Sequence, residues 1–92
     1  MELRPIQYHL ECYEGSFISD PSLSVSSSTP VPTFSVGDIV DHRGDGSWQR
    51  PPGSGEGFRV AEVRHLVWSI QGSHIGYKLM VRLEVVRLPR DP

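Results

Sequence analysis

Tyr77-Lys78-Leu79-Met80-Val81-Arg82-Leu83-Glu84-Val85-Val86 alternates apolar residues with strict period two. In an extended strand successive side chains point to opposite faces. Tyr77, Leu79, Val81, Leu83 and Val85 therefore line one face, with Lys78, Met80, Arg82, Glu84 and Val86 on the other. The run extends from Ile75 to Leu88 and stops at Pro89, which cannot donate to a ladder. Immediately upstream, Gln71-Gly72-Ser73-His74 reads as a hairpin turn, so an antiparallel neighbour must precede it.

That neighbour is Phe58 to Ile70. Phe58 and Val60 share a face, but beyond Ala61-Glu62 the apolar set reappears at Val63 and Val67, with Leu66 and Trp68 opposite. A phase change of one residue inside a strand is the mark of a β-bulge, which bends and coils the strand. Farther upstream, Phe34 to His42 reads as a strand with a Gly37-Asp38 turn just before Ile39-Val40. Arg43 to Gly57 is then a long loop holding Trp48, glycines and two prolines, longer than ordinary connections. At the other end of the chain, Ile6, Tyr8, Leu10 and Cys12 alternate with Gln7, His9 and Glu11, a half-buried strand with Pro5 at its start. Glu14-Gly15 is a turn, and Ser16 to Ser19 is expected to add a short partner strand. Asp20 to Thr33, rich in serine and proline, is expected to be an extended linker or long surface loop on which Leu23 and Val25 dock briefly.

Helical spacing competes with this alternation only at Glu62 to Ile70, where Trp, Val and Ile favour a strand. The expectation is an all-β fold: a small, strongly bent antiparallel sheet or SH3-like barrel of about five strands. Residues 1–19 form an N-terminal strand or hairpin arm, 20–33 the linker, and 34–89 a barrel-like unit, all within one domain. At 92 residues with 37% apolar content, the chain has little core to spare, and a partner or a second copy would add stability.

The segment Phe34 to Leu88 resembles the small SH3-like barrels, KOW-type modules among them. The likeness rests on Val36-Gly37-Asp38-Ile39-Val40, Phe58-Arg59-Val60-Ala61-Glu62-Val63 and Tyr77-Lys78-Leu79-Met80-Val81. Ala61-Glu62 stands where KOW modules carry glycine between the central valines. The resemblance implies a small barrel, in a layout common to short bacterial and phage proteins.

Charge and motif content sort the remaining functions. A formal net charge of −2 excludes a strongly basic nucleic-acid binder. Arg59, Arg64, Lys78, Arg82 and Arg87 are nevertheless candidates for a basic strand face that binds nucleic acid, with a tryptophan as stacking platform. Cys12 is the only cysteine, which excludes an intrachain disulfide and reads as a small buried hydrophobe. His9, His42, His65 and His74 show no metal-ligand spacing with it. Pro52-Gly53-Ser54-Gly55-Glu56-Gly57 lacks the Lys-Ser/Thr of a phosphate-binding loop. Arg43-Gly44-Asp45 spells an adhesion tripeptide but reads as a turn. No secretion signal or membrane-spanning run is evident, so a cytoplasmic location without a cofactor or membrane is expected.

Trp and Arg are enriched at binding hot spots. Trp48 with Arg43 and Arg50, and Trp68 beside the basic strands, are therefore candidate partner-binding residues. Trp48 has an alternative role, folding back to cap an open barrel end. The expected function is a non-enzymatic protein-binding module that resembles small phage or mobile-element accessory proteins, such as anti-CRISPR and other anti-defence inhibitors that block a host complex. The alternatives are a nucleic-acid-binding barrel and a structural subunit of a larger assembly, with a homodimer compatible with each.

Overall fold

The computed structural model describes residues 5–44 and 46–89. Among these residues five strands form one curled sheet: β1 (Ile6–Glu14), β2 (Leu23–Ser27), β3 (Ile39–Val40), β4 (Glu56–Ser69) and β5 (Ile75–Arg87). Their order is β2-β1-β5-β4-β3. The fold is all-β, as the alternation requires, and the β4–β5 hairpin is its spine. Ile70 N–H donates to His74 across the turn, where Gly72 has a φ of 76°. A positive φ is a conformation that glycine adopts without a Cβ penalty.

The bulge falls where the change of phase places it. Val60 pairs with Leu83 and Glu62 with Arg82, leaving Ala61 as the extra residue. Without that residue the apolar set of β4 would turn over to the wrong face. With it, Phe58, Val60, Val63 and Val67 stay level with Val85, Leu83, Val81 and Tyr77.

Three features differ from the expectation. First, β1 pairs with β5 in parallel, Ile6 opposite Ile75 through Glu14 opposite Leu83, so the N-terminal strand is central rather than an arm. Segment 34–88 supplies only three of the five strands. Second, the partner of β1 on its other side is Leu23–Ser27, within the stretch read as linker, while Ser16–Ser19 forms a turn. Serine is tolerated because this strand lies at the edge of the sheet, where Leu23 and Val25 join the apolar rows of Cys12 and Leu10. Third, Phe34–Asp38 is not strand. Gly37 has a φ of 97° and the Asp38 carboxylate accepts from Ser35 N–H at 2.9 Å, so the ladder begins only at Ile39.

The register defines two faces. On the inner face Leu10, Cys12, Phe58, Val60, Leu79, Val81 and Leu83 form the core, and Trp48 closes it. Val31 and Phe34, from the connections, pack around its margin. This core occupies only one end of the sheet, the end holding β3 and the loops. The molecule measures 56 × 26 × 20 Å with a radius of gyration of 15.5 Å, against about 12 Å for a compact domain of this length. The excess length is the far end of the sheet, which no element among the described residues covers.

Candidate functional site

At the loop end, Trp48 is a structural residue. It is only 9% exposed, sits in the core, and its ring centroid lies 5.0 Å from that of Phe58. Its indole Nε1 has no hydrogen-bond partner among the described residues. The loop carrying it is clasped by Glu14, whose carboxylate accepts from Gln49 N–H and Arg50 N–H, both at 2.8 Å, and from Ser22 Oγ. Burial alone would raise the Glu14 pKa, but the hydrogen bonds from Ser22, Gln49 and Arg50, with the Arg50 charge, hold it below the usual value. Trp48 thus takes the capping role, one of its two expected roles. Arg43 is engaged with the Asp41 carboxylate at 2.7 Å in a 3₁₀ turn, His42–Gly44. That pairing holds Asp41 well below the usual carboxylate range. Asp45 of the adhesion-like tripeptide lies outside the described residues.

Trp68 is at the opposite end and on the opposite face. Ten residues of β4 separate it from Phe58, the ring that Trp48 touches, which is roughly 33 Å of strand. Its ring lies flat across Gly76, the residue opposite it on β5, and a Cβ at Gly76 would overlap the indole. Across that glycine the ring stacks on His9 of β1, centroids 5.5 Å apart, and the Lys78 ammonium stands 5.8 Å from its centre. Leu66 and Lys78 occupy the adjoining row.

The basic residues divide by strand parity. Arg59, Arg64, Lys78 and Arg82 share the outer face with Trp68, whereas Arg87, in phase with Tyr77 and Leu83, belongs to the inner face. The outer-face cations are bound to carboxylates. Arg59 pairs with Glu84, Arg64 with Glu62 at 2.7 Å, and Arg82 with Glu62 and Lys78 with Glu11 at 3.4 Å each. These surface pairs contribute little stability, but each offsets the charge that a phosphate would otherwise meet. Toward the loop end this face is covered by Phe17, which packs edge-on against Tyr13 and lies under the Arg64 guanidinium. Burial, then the hydrogen bond to Glu11 and its charge, push the Tyr13 phenol up to about 12.

The far end of the sheet carries exposed apolar side chains on both sides. Its inner face carries Ile6, Tyr8, Tyr77 and Val67, with His65 hydrogen-bonded to the Tyr77 hydroxyl. Its outer face carries Trp68 and Leu66. Val67 is 61% and Leu66 48% exposed, and Ile6 and Ile70 are likewise open to solvent. Adjacent strand residues exposed on opposite faces make this end an apolar blade. Parity could have found it, since Leu66-Val67-Trp68 leaves no polar face at all. The sequence reading selected only Trp68 from it.

The chemistry-bearing side chains are dispersed. Cys12 is in the core, where burial pushes its thiol up to about 11. His42 packs on Phe58, His9 on Trp68 and His65 on Tyr77. Among the described residues no three His, Cys, Asp or Glu side chains gather as a metal site would need, and no helix is long and apolar enough to cross a membrane. No known protein family, curated protein or solved structure matches this chain.

Proposed function

We propose that the chain is a non-enzymatic protein-binding module that docks through the apolar blade. The observation that carries this reading is the exposure of Leu66 and Val67 on opposite faces of a sheet end that the protein's own core does not cover. Contiguous apolar surface rimmed by polar groups is the usual mark of an interaction site. Trp68, braced on Gly76 and His9, supplies a rigid aromatic of the type that dominates binding energy. A sheet with side chains on both faces is about 10 Å from layer to layer, so the fitting partner is a folded protein with an apolar cleft rather than a flat surface. Its effect on that partner is occlusion, the mode of action of the accessory inhibitors that the sequence resembles.

The test is affinity capture from nuclease-treated lysate with the tagged full chain and three variants. Leu66→Asp and Val67→Asp are expected to lose a partner that the wild type retains. Ile18→Asp, altering a side chain 97% exposed outside the blade, is expected to keep it. Equal retention by all four would overturn the blade assignment. Recovery of nucleic acid alone, lost at moderate salt, would favour the outer-face cations instead.

A further inference from the structure

The two edges of the sheet are protected unequally. β3 is only two residues long and is bracketed by Asp38 and Asp41, short and charged in the way natural edges usually are. β2 is five residues, Leu23-Ser24-Val25-Ser26-Ser27, with no charge, no proline and, among the described residues, no strand on its outer side. Its three central residues are exposed. Unpaired N–H and C=O groups along such an edge are a template for another strand.

We infer that two copies of the chain pair through β2, antiparallel about a two-fold axis at Val25. This register alone overlaps all five residues, and the sequence is compatible with it throughout. Val25 meets Val25 of the second copy, Leu23 meets Ser27, and Ser24 meets Ser26. Beyond the strand, Asp20 falls opposite Pro30, so no like charges meet along the seam. A two-fold axis perpendicular to the sheet keeps the inner faces of both copies on one side. The row Val25-Leu10-Leu79 then continues into its equivalent, and two five-stranded sheets become one of ten strands. The isologous geometry closes the assembly at two, because each copy uses its β2 edge once. This inference is separate from the partner reading, since the blade lies at the end of the sheet and the seam along its side.

Sedimentation velocity of the full chain over a concentration series tests it. The wild type is expected to move from monomer to twice the monomer mass. Val25→Lys and Val25→Glu, each placing like charges on the axis, are expected to weaken self-association at least tenfold. Mixing the two variants is expected to restore it as a heterodimer. A wild type monomeric at every concentration would overturn the proposal, as would dimers indifferent to both substitutions. Failure of the mixture to associate would overturn the Val25 register. Amide exchange of the wild type provides a check free of variants. Protection over 23–27 must rise with protein concentration, and constant protection would count against the seam.

Discussion

Trp48 and Glu14 show how a loop without regular structure becomes part of a core. Trp48 fills the open end against Phe58, so Trp48→Ala is expected to cost about 3–5 kcal/mol by the cavity rule for large aromatics. Trp48→Phe is expected to cost clearly less, because the indole N–H has no acceptor to lose. Urea denaturation of both variants checks the contrast, and equal losses would mean that the N–H is paired after all. Glu14 carries the pH dependence. Its folded pKa lies below the ordinary value, so its stabilisation is complete above the unfolded value of about 4.3 and is lost as pH falls through the folded one. Glu14→Gln is therefore expected to lower the urea midpoint at neutral pH. Its difference from wild type should close in acid, and a gap independent of pH would show that charge on the clasp is irrelevant. The capping of the core by Trp48 was one of two roles the sequence offered, but the clasp was not legible: Glu14 looked like a turn residue, and its partners lie some thirty-five positions downstream, as Gln49 and Arg50 do.

Strands β4 and β5 were legible because period two and one phase change contain all the information needed to align them. β2 was not, because a strand with an exposed edge and three serines has the composition of a linker. Arg87 is an instructive miss. Its odd number places it in phase with Leu83 and Val85, yet similarity of charge grouped it with cations of the other face. Gly76 is likewise ordinary as a letter and specific as a position. Trp68 lies where its Cβ would be, so Gly76→Ala is expected to destabilise by about 1–3 kcal/mol despite the usual gain from replacing a strand glycine. In a Trp68→Ala background the same change should be near neutral. A double-mutant cycle by urea denaturation reads the coupling, and additive effects would refute the close approach.

Taken whole, the molecule is a half-covered sheet, elongated because its core stops partway along the spine. The bent all-β architecture could be read from sequence, but the central parallel ladder could not. Alternation says that β1 and β5 are strands and is silent on whether they meet, or in which direction. The parallel pairing has a consequence for how the protein is made. Ile6 pairs with Ile75 and Glu14 with Leu83, a separation of about seventy positions that makes closure slow. On the ribosome β1 emerges well before β5, and β2 can cover only one of its sides. The other side must wait, with Leu10 and Cys12 unburied, until β5 has left the exit tunnel. The nascent chain therefore carries an unfinished sheet while the intervening residues are made, and this ladder closes only when β5 is added.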